Sequence, residues 1–118
     1  MLHHVTLEVQ PSDLGRAAEF WALLGFAEVD PPPDLASKYI WFERGGTQIH
    51  LMATDSPTIP PSGHPAIVVP DFEGTIERLE ESGFQVTSKR ERWASRADAI
   101  APGGHRVELM AAPPVGAR

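Results

Sequence analysis

Four residues in this chain pair metal-capable side chains with a repeated setting: His4, His50, His64 and Glu108. The stretch GGTQIHLMA, Gly45 to Ala53, returns as GGHRVELMA, Gly103 to Ala111, with His50 in one copy where Glu108 stands in the other. Imidazole nitrogen and carboxylate oxygen both bind first-row divalent ions. Together the four would suit one ion of Zn, Ni, Mn, Co or Fe(II) and leave an open position for water or substrate. Such a centre polarises an oxygen and assists proton transfer.

Strands must carry these residues. LHHVTLEV, Leu2 to Val9, alternates and reads as a half-buried strand, with His4, Thr6 and Glu8 on one face and His3, Val5, Leu7 and Val9 on the other. SDLGRAAEFWALLGF follows at helical spacing, with Ser12 or Asp13 as the cap and Gly25 as the stop. FAEV is a short strand. KYIWFER and TQIHLMA form a hairpin about Gly45-Gly46.

After a proline-rich connection the order returns: HPAIVV, a helix FEGTIERLEESG capped by Asp71, then FQVTS, RWASRADAIA and PGGHRVELMA. His4 matches His64, Phe26 matches Phe84, the Gly-Gly turns match, and His50 matches Glu108. The offsets run from 58 to 60. The chain therefore reads as an internal duplication: module one at 1–55, a connection at 56–63, module two at 64–112 and a short tail at 113–118. One domain of residues 1–118 holds both modules.

In TQIHLM, HRVELM and HPAIVV the apolar set lies opposite the His or Glu, so the metal-capable residues should line the face away from the helices. A lone strand histidine is more often packed or solvated than bound to metal. Duplication and shared facing set these four apart. His3, placed on the helix side, and His105, turned from the face of Glu108, stay outside the set. Arg106 and Gln48 share the ligand face as candidate substrate contacts, with a rim salt bridge as the alternative for Arg106. One of Trp41 and Phe42 should reach the cleft; Trp41 is the candidate aromatic wall, with core packing the commoner use of such a residue. Glu108, or else Glu8, would move the proton.

Net charge is −6, which argues against nucleic acid. The local basic run SKRERWASR reads as a solvated strand edge and turn. The absence of cysteine removes disulfides, thiolate sites and cysteine nucleophiles. No apolar run suits a membrane span and no signal peptide pattern is present, so a cytoplasmic protein is expected.

The strand HVTLEV, the helix ending FWALLGF, and PGGHRVELM resemble the vicinal oxygen chelate superfamily, which includes glyoxalase I, bleomycin-binding proteins, fosfomycin-resistance transferases and extradiol dioxygenases. The resemblance implies an α+β fold of two tandem βαβββ modules forming an incomplete barrel around a metal-binding cleft, often in a homodimer. It carries the metal ligands over to His4, His64 and Glu108, and puts His50 where glyoxalases usually have a carboxylate. It implies a metal-dependent lyase or isomerase acting on a small oxygenated substrate chelated through adjacent oxygens. Its alternatives are a non-catalytic, bleomycin-type sequestering protein or an antibiotic-modifying thiol transferase.

Overall fold

The computed structural model describes residues 1–115, and the end of the expected tail, 116–118, lies outside them. Two four-stranded sheets share one pattern. The first holds β1 (His4–Val9), β2 (Ala27–Val29), β3 (Tyr39–Arg44) and β4 (Thr47–Ala53) in the order β1-β4-β3-β2. The second holds β5 (Ala66–Val68), β6 (Val86–Glu91), β7 (Ser95–Ile100) and β8 (Arg106–Met110) in the order β5-β8-β7-β6. In each sheet the first strand of the module pairs in parallel with its last strand, and the other neighbours are antiparallel. The fold is α+β, two βαβββ modules with no closed barrel.

Each module carries one helix on the apolar face of its sheet, α1 (Leu14–Leu23) and α2 (Phe72–Glu81). Ala17, Phe20 and Trp21 are buried on α1, and Phe72, Ile76 and Leu79 on α2. They join one core with Leu7, Val9, Ile49, Leu51, Val107 and Leu109. Full burial of each large side chain contributes roughly 1.5–3 kcal/mol. The helix starts differ from expectation: Asp13 and Asp71 occupy the cap positions without making a side-chain cap bond. The Asp71 carboxylate instead lies over Gly74, where a Cβ would stand 2.3 Å from Oδ2, so no other residue fits there without displacing it.

The modules are tied at several points. Phe20 and Phe84 meet edge to face at 5.2 Å between ring centroids. Arg16 donates to the carbonyl of Ser82 at 2.8 Å, and Arg44 donates to those of Leu24 at 3.2 Å and Val68 at 2.7 Å. His105 is buried and its Nε2 donates to the Glu8 carbonyl at 2.7 Å, which accounts for its place outside the ligand face. Gly103 has φ +99°, and a Cβ there would approach Val9 Cγ1 to 2.9 Å. The β7–β8 turn therefore needs glycine to pack on β1.

The last hairpin departs from the expected extents. β6 reaches Glu91, with a register shift between Thr87 and Arg90, and Ser88 takes φ 55°. Arg92 to Ala94 form the turn rather than the start of β7.

Candidate functional site

On the first sheet, alternation turns Ile49, Leu51 and Phe42 into the core and leaves His50 and Trp41 on the open face. Register sets Trp41 opposite His50 and His4 opposite Gln48. Cross-strand neighbours stand close enough for their rings to stack. The His50 ring lies between two others: that of His4 at 4.1 Å and 12°, and that of Trp41 at 4.0 Å and 6°. His50 Nε2 donates to Gln48 Oε1 at 2.6 Å, and Gln48 Nε2 donates to Glu43 Oε1 at 2.9 Å. The Glu43 carboxylate can only accept, so it fixes the Gln48 amide, which fixes the His50 tautomer and leaves Nδ1 with the lone pair. Burial, then repulsion from His4 and His3, lowers the His50 pKa to about 4. The imidazole is therefore neutral at pH 7, the form that binds metal.

His3 is a correction. Expected on the helix side, it is exposed instead, its Nδ1 lies 2.9 Å from that of His4, and its ring meets His4 edge-on at 5.2 Å. It precedes the first residue of β1, where strand alternation no longer applies. Glu8 accepts the backbone N–H of Thr58 at 3.0 Å, which anchors the connection between modules. The buried indole N–H of Trp41 has no partner.

On the second sheet Val107 and Leu109 enter the core, and Glu108 occupies the opposite face with Asp98 beside it in register. Glu108 is buried beside two guanidinium groups and an imidazole. His64 Nε2 lies 3.1 Å from Oε1, Arg96 Nε donates to Oε2 at 2.6 Å, and Arg90 Nη2 is 3.6 Å from Oε2. Burial pushes the Glu108 pKa up, but the Arg96 and His64 bonds and the charges of Arg96 and Arg90 outweigh it and hold the carboxyl below its ordinary value. His64 Nδ1 stands 2.8 Å from the Ser62 carbonyl and 2.7 Å from Arg106 Nη2. Arg106 thus contacts the His64–Glu108 pair from its rim and also donates to Ser62 O at 3.0 Å.

The four expected ligands come together as two pairs rather than as one group: His4 with His50, and His64 with Glu108. Among the described residues no group of three or more His, Asp or Glu side chains could hold a metal. The expectation that all four converge within one chain is corrected here, because each pair lies on the face of its own sheet. β1 and β5, which carry or follow His4 and His64, are both sheet edges. A cavity of about 250 Å³ between the β1 edge and the segment before β5 is lined by Thr6, Leu7, Pro60 and His64, among others.

The chemistry of each pair fits a divalent ion. His50 is neutral, and on the second sheet an imidazole nitrogen, His64 Nε2, stands beside a carboxylate oxygen, Glu108 Oε1.

Arg90, Arg96 and Asp98 were not foreseen as site residues. The basic run they partly belong to is not wholly a solvated edge: Arg96 is 14% exposed and reaches across to Glu108. A signal existed in SRADAI, where Ala97 and Ala99 are buried and Arg96 and Asp98 take the other face. Arg90 reaches Asp98 at 3.3 Å, and the bulged path of β6 precedes it.

The Glyoxalase/Bleomycin resistance protein/Dioxygenase superfamily profile matches residues 1–109. The chain belongs to this superfamily. Among solved structures it is similar to a putative glyoxalase family protein from Bacillus anthracis, at 23% identity over 93% of each chain with a TM-score of 0.80. It is also similar to the fosfomycin resistance protein FosX from Listeria monocytogenes, in complex with Mn(II) and dihydroxypropylphosphonic acid. There the identity is 22%, coverage is 97% of this chain and 94% of that one, and the TM-score is 0.77. A bleomycin resistance determinant encoded on transposon Tn5 follows at 17% identity, 90% and 94% coverage, and a TM-score of 0.63. No curated protein matches the chain. Among the described residues no helix is long and apolar enough to cross a membrane.

Proposed function

We propose that this protein is a metal-dependent lyase or isomerase for a small substrate that chelates through adjacent oxygens, with its centre assembled between two copies of the chain. The observation that carries this reading is the division of the donor set into two pairs on the open faces of two sheets. His4 and His50 of one copy, with His64 and Glu108 of the other, would hold one divalent ion. A C2 pair repeats the contact and so forms two such centres. A bound Zn, Ni, Mn, Co or Fe(II) ion would supply Lewis acidity to the substrate oxygens.

The chain's own residues do the rest. Arg96, Arg90 and the His64 hydrogen bond keep Glu108 ionised, the form that both binding a metal and taking a proton require. Gln48 keeps His50 in one tautomer. Trp41, stacked on His50, gives an apolar wall, and Arg106 lies at the rim for an anionic group. Glu8, tied to Thr58, serves as the second candidate for moving the proton. The likeness to the FosX complex with Mn(II) supports the metal. The likeness to the bleomycin determinant, with the Trp41 wall, supports a second reading, sequestration without chemistry.

The test uses untagged protein prepared without chelators. A mass near that of a dimer in light scattering and near-stoichiometric metal are expected. His4→Ala/His50→Ala and His64→Ala/Glu108→Ala should each lose the metal as separate preparations. Unfolded and refolded together, they should regain roughly a quarter of wild-type metal, since half the dimers are mixed and one of the two centres in each is intact. No recovery from a mixture that does form mixed dimers would overturn assembly across two copies. Metal-free wild type that takes up no divalent ion would favour sequestration.

A further inference from the structure

We infer that the seam between the modules holds a separate binding pocket for a small uncharged molecule with an apolar body and one hydrogen-bond donor, the chemistry of a phenol or a short alcohol. This pocket lies within one copy of the chain and needs no ion. It stands apart from the proposed metal centre and shares with it only the ring of His64.

The pocket is the cavity of about 250 Å³ between the β1 edge and the segment before β5. Val5, Leu7, Pro60 and Pro65 give it apolar walls, and the polar side chains of its lining are those of Thr6, His64 and His105. No Asp, Glu, Lys or Arg lines it, so a charged ligand would lose its hydration with no counter-charge in return. An engineered apolar cavity of roughly 150 Å³ admits benzene. The seam therefore has room for a six-membered ring with a substituent.

His105 supplies the polar anchor. It is 4% exposed, and its Nε2 lies 2.7 Å from the Glu8 carbonyl. A carbonyl only accepts, so the proton sits on Nε2 and Nδ1 keeps its lone pair. No side-chain or backbone donor among the described residues takes that lone pair. Among the same residues Trp41 Nε1 is the one fully enclosed side-chain nitrogen or oxygen without a partner, so Nδ1 of His105 is not sealed off. The cavity beside the ring is the space it opens on. Both nitrogens of His64 are occupied, Nε2 by Glu108 and Nδ1 by Arg106 and the Ser62 carbonyl. His64 thus adds wall and no anchor.

Water is a poor occupant of such a place. A buried water uses about two to four polar partners, and one imidazole lone pair with one threonine hydroxyl meets only the lower end of that range. A hydroxyl on an apolar ring suits the lining better. It donates to Nδ1 and sets carbon against Val5, Leu7 and the prolines.

Phenol and toluene, close in size and different in the hydroxyl, test this on the intact chain by amide NMR titration. In wild type both should shift the signals of Val5, Leu7 and His105 saturably. His105→Gln keeps a donor for the Glu8 carbonyl but removes the Nδ1 lone pair. Phenol should then bind on the order of 5–100-fold more weakly, as when a buried hydroxyl loses its partner, while toluene binds as before. Gly63→Leu adds a side chain to the lining on an exposed segment, where a Cβ would stand 3.4 Å from that of Pro60. It should weaken both probes by filling the cavity, and it keeps the test standing if circular dichroism shows His105→Gln unfolded. No saturable shift with either probe in wild type overturns the pocket. Equal losses of phenol and toluene in folded His105→Gln overturn the anchor, and unchanged binding in Gly63→Leu overturns the location. None of these readings involves metal content, so the proposed metal centre stands or falls separately.

Discussion

The two open sheet faces descend from one repeated stretch, yet they hold their metal-capable residues by different physics. On the first sheet His50 is kept in place by stacking and by a relay of neutral and anionic hydrogen-bond partners, His4 and Trp41 on its faces and Gln48 with Glu43 at its edge. On the second sheet Glu108 is kept in place by the charges of Arg96 and Arg90 and by a hydrogen bond with His64. A buried imidazole is least costly when neutral, and a buried carboxylate is tolerated only beside cations. The one exchange, His for Glu at matched positions, therefore demands a different set of neighbours in each half.

The largest effect should come from breaking the charged face. Glu108→Ala leaves Arg96 largely buried without its counter-charge, while Arg90 keeps Asp98, and should destabilise the fold by about 3–5 kcal/mol. Urea denaturation measures this. A loss under about 1 kcal/mol would mean that the arginines relax to solvent and that charge does not hold this face.

Acid should separate the faces next. His50 has its pKa lowered from 6.5 to about 4, so the unfolded chain binds a proton there that the native state refuses. Its contribution is intact above pH 6.5 and is lost as pH falls toward 4, by about 3 kcal/mol in all. Glu108, with its pKa below 4.5, contributes above that value and loses its contribution only as pH falls through its folded pKa. Melting temperatures of chelator-treated protein should therefore begin to drop below pH 6.5 in wild type. His50→Asn should be flat down to the carboxylate range.

A smaller effect is expected at the junction of the modules. His105→Ala removes the bond to the Glu8 carbonyl and should cost about 1–3 kcal/mol, with the carbonyl left unsatisfied. The same denaturation curves check it, and no change would mean that water replaces the imidazole. The smallest is Trp93→Ala, which removes the ring beneath Arg96 at an exposed hairpin tip. About 0.5–1 kcal/mol of stability is expected to go.

How far the sequence reached differs between these regions. Strand alternation placed His50 away from the helices and required one of Trp41 and Phe42 to join it, and the structure finds His50 and Trp41 on the open face with Phe42, Ile49 and Leu51 in the core. It misjudged His3, because alternation was extended past the first residue of the strand. It also treated the arginines of the SKRERWASR run as solvated, because charge in a linear sequence reads as surface. Arg96 shows why that fails: a long side chain on a strand can cross to the neighbouring strand and find a carboxylate. The hairpin turn at Arg92 to Ala94 carried no glycine or proline to mark it.

The sequence by itself determined the duplicated βαβββ plan, the α+β class and the face on which each metal-capable residue lies. Periodicity fixes these, since one side of every strand must meet the helix of its module. Only the tertiary structure decided which of those residues meet. Sheet pairing is local to each module, so His4 reaches His50 across β1 and β4, and Glu108 reaches His64 from β8 to the residues before β5. Contact between side chains on separate sheets depends on how the modules pack. That packing follows from Phe20 against Phe84, His105 on Glu8 and the tight approach of Gly103 to Val9 rather than from any pattern along the chain.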